Sequence, residues 1–211
     1  MRSMGLLSIA SAALFAAGAF ACSGSDSVSG PSGSTATPSS ASSGNGTLAI
    51  HLTDSPFSDA KALLVTFTDV SVHRADPGEW RTLPFASGSS RTCDLKKLNG
   101  ATDVLGVGSL PAGKYTQVRL DISSVTLYFD NPSVGPPCAP SIAAPAGKNV
   151  SVDVPSGEVK LNNEFTVTGS ATTMLLDFDG DQSVHQTGNG NGNGQNGKYM
   201  MSPVIRVVSV Q

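Results

Sequence analysis

The chain predicts an all-β fold of many short strands, with at most one short helical turn, on three observations. Apolar residues recur with a period of two in stretch after stretch, as at Leu48, Ile50 and Leu52, which is the mark of a strand with one wet face. Gly 23 and Pro 13, with abundant Ser and Thr, favour short strands joined by turns over long helices. The third observation is terminal. Ala171 to Val184 (ATTMLLDFDGDQSV) and Lys198 to Val210 (KYMMSPVIRVVSV) are two apolar, β-branched runs separated by an Asn/Gly tract, the pattern of a long hairpin with a floppy tip. A lone hairpin is not stable in water, so the remaining strands must pack on that pair.

Taken in order, residues 1–21 carry one positive charge at Arg2, an apolar stretch through Leu6, Leu7, Ile9, Leu14 and Phe15, and small residues before Cys22. That is an export signal, too short and weakly flanked to be a span. Ala19-Phe20-Ala21 suits ordinary cleavage, whereas Ala21-Cys22 resembles the bacterial lipobox, in which the cysteine is acylated; the usual Leu three places before it is here Ala19. Residues 22–45 continue as a Ser/Gly/Pro-rich stretch that cannot form a core and reaches roughly 25 to 30 Å as a flexible coil. An acylated Cys22 followed by a solvated leash is the physical design of a lipoprotein, since several acyl chains anchor more firmly than one. The alternative is a soluble exported protein with a disordered N-terminus.

Residues 46–211 are expected to form a single domain of about 165 residues, enough for a sizeable core. Thr47 to Asp54 is a strand ended by Asp54-Ser55-Pro56. In 62–73, Leu63, Val65 and Phe67 share one parity and Val70 and Val72 the other, so a bulge or bend falls near Thr68-Asp69. Asp76-Pro77-Gly78 turns into a short return strand, Glu79 to Leu83, on which Trp80 reads as a core plug. Residues 93–98 are ambiguous, and Asn99 to Gly113 reads as turns with one helical turn. Lys114 to Asp130 is the longest strand, with a second parity slip at Ser123-Ser124. Two bent strands suit the corners of a sandwich or barrel. Val150, Val152 and Val154 mark a further strand, and Glu158 to Leu161 and Glu164 to Thr168 two more.

The net charge of -3 with 14% charged residues leaves no basic footprint, which argues against a nucleic-acid partner. Cys93 and Cys138 lie in loop-like surroundings. In an oxidising compartment they would most simply pair, closing a loop worth about 2 to 4 kcal/mol; the alternative is two buried free thiols.

The motifs GTLAIHLTDSP, VTFTDVSVHRADPGEWRTL, LPAGKYTQVRLDI, LDFDGDQSV and YMMSPVIRVV, in that order, resemble the bacterial lipoprotein family known as domain of unknown function 4382. The resemblance spans Gly46 to Val210 and implies an antiparallel β-sandwich of transthyretin-like (prealbumin-like) or carboxypeptidase-regulatory-like form on an exported, often lipidated protein. It implies no reaction. The Asn/Gly tip, Gly188 to Gly197, departs from it as an expanded loop.

Chemistry has one sharp candidate. Asp177, Asp179 and Asp181, with Gly180 among them, could gather hard oxygen ligands around calcium. The full EF-hand pattern is absent, because Gln182 follows the third acid and Gly188 stands where the twelfth-position Glu belongs. In an extended strand the three would share a face, neutralised by a cation or by Arg119, Arg206 or Lys198; a solvated strand end is the plainer reading. Gly192 to Gly197 fits G-x-G-x-x-G, but a low-complexity run leading into a strand is no dinucleotide site. His51, His73 and His185 have no zinc spacing; His51 and His73 could approach Asp54 or Asp69. No catalytic constellation is legible. The expectation is a non-catalytic, lipid-anchored protein of the bacterial cell envelope, held at the outer membrane, whose sandwich binds an envelope protein or a glycan through its loops or serves a structural role; with most aromatics, Trp80 included, reading as core, a protein partner or a structural role fits better than a glycan. The alternatives are a calcium-dependent module built on Asp177, Asp179 and Asp181 and, third, an unrecognised hydrolase whose pocket the sequence does not reveal.

Overall fold

Period-two alternation becomes extended chain over most of the molecule. The computed structural model describes residues 44–55, 58–187 and 198–211; the expected export segment, Cys22 with most of its tether, and the Gly188–Gly197 tip lie outside them. In chain order the strands are β1 (Asn45–Ser55), β2 (Ala62–Arg74), β3 (Glu79–Thr82), β4 (Arg91–Asp94), β5 (Asp103–Pro111), β6 (Gly113–Tyr128), β7 (Cys138–Ala139), β8 (Asn149–Asp153), β9 (Glu158–Val167), β10 (Ala171–Asp179), β11 (Val184–Thr187), β12 (Lys198–Met201) and β13 (Ile205–Val210). A 3-10 turn, Leu95–Leu98, and one α-helical turn, α1 (Gly180–Ser183), interrupt them.

The strands make two sheets. One has four strands in the order β13-β10-β1-β5, the other nine along β11-β12-β8-β6-β2-β4-β7, with β3 added on β2 and β9 on β6. Leu48, Ile50 and Leu52 of the first sheet, with Met174, Leu176 and Phe178, join Val65, Phe67, Val70, Val118, Leu120 and Leu127 of the second in one buried cluster. Each such side chain contributes roughly 1.5 to 3 kcal/mol on leaving water. The result is an all-β sandwich.

Both expected parity slips exist, and they are one fault. In the β2–β6 ladder Thr66 pairs with Ser124 and Phe67 with Ile122, leaving Ser123 extra; Phe67 and then Asp69 pair with Ile122 and Asp121, leaving Thr68 extra. Bulging both strands at the same level keeps Leu63, Val65 and Phe67 on the same side as Val70 and Val72, and does the same for β6. The fault also divides the flanks. β3 and β9 pair beside one half of the ladder, β4 and β8 beside the other.

Several expectations are corrected. There are two helical turns rather than at most one, because Asp94 and Asp179 each cap a turn, accepting from Lys96 N and Gln182 N. Pairing is not wholly antiparallel: β1–β10 and β8–β12 are parallel. Glu158 to Val167 is one strand rather than two. Within 99–113, read as turns, lies β5, antiparallel to β1. Its Gly106 and Gly108 hid it, and they are there for space: a Cβ on Gly108 would stand 3.1 Å from Leu83 and Pro84 side-chain atoms. The terminal hairpin forms, but it changes sheets. β10–β13 lies in the four-stranded sheet and β11–β12 in the other, with α1 and residues 202–204 between them.

Candidate functional site

On the outer face of the nine-stranded sheet, three ladders set four chemistry-bearing side chains in one row. Trp80 of β3 pairs with His73 of β2, His73 with Gln117 of β6, and Gln117 with Asn162 of β9. Directly opposed residues across paired strands place their side chains on the same face, so the row is a consequence of register alone. A bulge at Thr116, between Tyr115 and Gln117 in both flanking ladders, brings its hydroxyl to the same surface, 3.0 Å from His73 Nδ1. Gln117 Nε2 donates to Asn162 Oδ1. These five residues line an open groove of about 360 Å³.

Trp80 is therefore not the core plug that was expected. It is partly exposed, its ring centroid 5.1 Å from that of His73 and 4.1 Å from the guanidinium carbon of Arg119. That cation–π contact is worth about 0.5 to 1 kcal/mol at such an exposed position. Arg119 is held in turn by Ser71 Oγ at 3.3 Å and Glu158 at 3.5 Å. The sequence carried a signal for this: residues two away from Trp80, Gly78 and Thr82, are not apolar, so its face of the strand was never a core face. His73, engaged by Thr116 and Trp80, does not turn to Asp69.

The acidic triplet is dispersed. The strand stops at Asp179, so Asp181 falls in the helical turn and the three do not share an extended face. Asp177 is 6% exposed and takes Arg206 Nε at 2.9 Å and Nη2 at 2.5 Å on one oxygen. Asp179 caps α1, accepting from Gln182 N at 3.0 Å and Gln182 Nε2 at 2.6 Å. Asp181 accepts from Ser58 N at 3.0 Å. Among the described residues no three His, Cys, Asp or Glu side chains converge to hold a metal ion.

A fourth acid, Asp54, which the sequence places at a strand end and turn where a histidine could approach it, sits beside them. β1 points Leu48, Ile50 and Leu52 inward, and the same alternation carries Asp54 inward at the strand end, 4% exposed. Among the described residues neither of its oxygens has a hydrogen-bond partner. The Gly180 N–H faces it without reaching hydrogen-bond geometry. Burial, opposed by that amide and Lys96 but reinforced by the charges of Asp177 and Asp179, pushes its pKa up to about 8. At neutral pH it is mainly a neutral carboxylic acid. Its parity with Leu52 was the signal for an inward residue.

Cys93 and Cys138 are bonded, directly opposite each other on β4 and β7. Asp103 ties the region, receiving Arg91 Nη2 at 2.7 Å and Cys138 N at 3.2 Å. A family model described as Domain of unknown function (DUF4382) matches residues 45–203. No curated protein and no solved structure matches the chain.

Proposed function

Because the chain belongs to the DUF4382 family, whose definition carries no reaction, we propose that it is a non-catalytic binding module, exported and lipid-anchored through Cys22 in a bacterial cell envelope. The observation that carries the binding reading is the row Trp80, His73, Gln117 and Asn162, which sets an aromatic ring, an imidazole and two amides along an open groove. Such side chains are rarely gathered on a sheet face by packing needs, since none of them fills the core. Polar groups converging beside an apolar ring are the ordinary composition of a recognition surface.

Anchoring is supported by the Cys22 leader and by a leash long enough to hold the domain clear of a membrane. The outer membrane is the proposed site. Two measurements test the reading together. An alkyne palmitate analogue should label the expressed full chain, and Cys22→Ala should lose both the label and the membrane fraction. In the Cys22→Ala background, where no acyl anchor can carry the chain into membranes, the purified chain should co-sediment with detergent-washed envelope material, and adding Gln117→Ala/Asn162→Ala should abolish that association while leaving the unfolding temperature unchanged. Equal co-sedimentation of the double variant would remove the outer-face row from the function.

A further inference from the structure

The groove on the outer sheet face is lined by His73, Trp80, Thr116, Gln117 and Asn162, none of them an acid, Lys or Arg. The cations beside it are each ion-paired, four of them sharing two acids. Glu158 receives Lys160 at 2.6 Å and Arg119 at 3.5 Å, and Glu79 receives Arg81 at 2.5 Å with Arg74 at 3.9 Å. The lining itself carries no carboxylate, ammonium or guanidinium, so it offers an ionic ligand no charged partner of its own. What it does offer is hydrogen bonding of both senses. Gln117 Nε2 and Asn162 Oδ1 already meet each other, as do His73 Nδ1 and the Thr116 hydroxyl, which leaves the Gln117 carbonyl and second N–H, the two Asn162 N–H donors and His73 Nε2 for a ligand.

That set, placed beside an indole ring, is complementary to a pyranose. Adjacent hydroxyls of a sugar bridge a planar amide, while the C–H side of the ring packs on an aromatic wall. Arg119 stacked on Trp80 fixes the indole in advance, which lowers the ordering cost of binding. The geometry is also linear. Four strands at their usual separation span roughly 14 Å between the outer two rows, a length suited to about three sugar rings.

We propose that the Trp80–His73–Gln117–Asn162 row binds an uncharged linear oligosaccharide. This rests on reading the chain as a binding module, and it adds the ligand's chemistry. Trp80 is the single tryptophan of the chain, so its emission reports on this groove without background.

The test is a fluorescence titration of the full chain with neutral gluco-, manno- and galacto-oligosaccharides and with the corresponding monosaccharides. At least one oligosaccharide is expected to give a saturable emission change and to protect Trp80 from acrylamide quenching, with its monosaccharide binding more weakly. Gln117→Ala and Asn162→Ala should each weaken the interaction about fivefold, the effect of losing one neutral hydrogen bond, without moving the unfolding midpoint. Calorimetry with Trp80→Phe gives a second readout that does not depend on emission. No response to any neutral oligosaccharide at about 10 mM, the weak limit of a specific site, overturns the proposal, and so does binding that the two amide variants leave untouched. A response confined to uronic or sulfated glycans and abolished by salt assigns binding to Arg119 and Lys160 and overturns it equally. If the double amide variant loses envelope association while no oligosaccharide binds, the binding module stands and the glycan assignment falls.

Discussion

Asp54 is the residue on which stability and pH meet. Its carboxyl releases its proton near 3.8 in the unfolded chain and near 8 in the folded one. Between those values the unfolded state binds fewer protons, so the stabilisation from this group is whole below the lower value and is lost as pH rises toward the upper, at up to about 1.4 kcal/mol per pH unit. Above it the loss is complete and the curve levels. The groups that set this are the burial itself, the Asp177 and Asp179 carboxylates, Lys96 and the Gly180 amide. Urea unfolding at about pH 5, 7 and 9 should therefore show Asp54→Asn more stable than the natural chain at neutral pH, with the difference widening from acid toward pH 8. Parallel pH profiles for the two proteins would refute this account. Asp54 also shows where sequence reading stops. Its inward parity is legible beside Leu48, Ile50 and Leu52, but DSP reads equally as a turn, and only the packing over that strand end excludes water from it.

At the scale of elements, the terminal hairpin explains the fate of the acidic triplet. Crossing from one sheet to the other requires a corner, and α1 makes it: Asp179 N donates to Val204 O at 2.9 Å, Ser202 N to Ser183 O at 2.8 Å, and Val204 N to Ser183 Oγ at 2.8 Å. The corner rotates Asp181 away from Asp177 and gives Asp179 a capping task. Asp177 meanwhile meets Arg206, its partner in the β10–β13 register. With the acids separately engaged, calcium from micromolar to millimolar should leave the thermal midpoint of the full chain where chelator leaves it. A ligand bound only to the native state adds about 2.7 kcal/mol at a hundredfold excess over its Kd. A rise of several degrees that vanished in Asp179→Ala would restore the calcium module. Spacing of two along a strand was visible in the sequence; that the strand ended at Asp179 was not, since Gly180 is as compatible with a bulge as with a helix start.

For the whole molecule, the disulfide and the divided sheet act at the same place. Cys93–Cys138 clips β7, a strand of two residues, to β4, and the Asn131–Lys148 segment lies along the outer side, where Ile142 packs on Ala62, Leu64 and Tyr128. A strand that short has too few ladder bonds to hold itself. Closing a loop of 45 residues is worth about 2 to 4 kcal/mol, so the paired Cys93→Ser/Cys138→Ser variant should lose about that much in urea unfolding. Its effect should concentrate in hydrogen exchange across 131–148 rather than in β1 or β10. A variant equal in stability to the natural chain would show that Asp94, which accepts from Leu63 N at 3.1 Å and Ser133 Oγ at 2.6 Å, already holds the segment.

The sequence by itself determined that the chain is all-β, where most strands lie, that β2 and β6 each carry a fault, and that the last two apolar runs return on one another. These are local properties, because a period of two and its interruption are written in consecutive residues. Tertiary structure alone decided what depends on register between distant segments: β1 lying parallel to β10, β5 closing the four-stranded sheet despite Gly106 and Gly108, and Trp80, His73, Gln117 and Asn162 standing in one row from four strands. A side chain's face is encoded within its strand, but its neighbours across the sheet are set by which strands pair and at what offset, and only the packed chain fixes those.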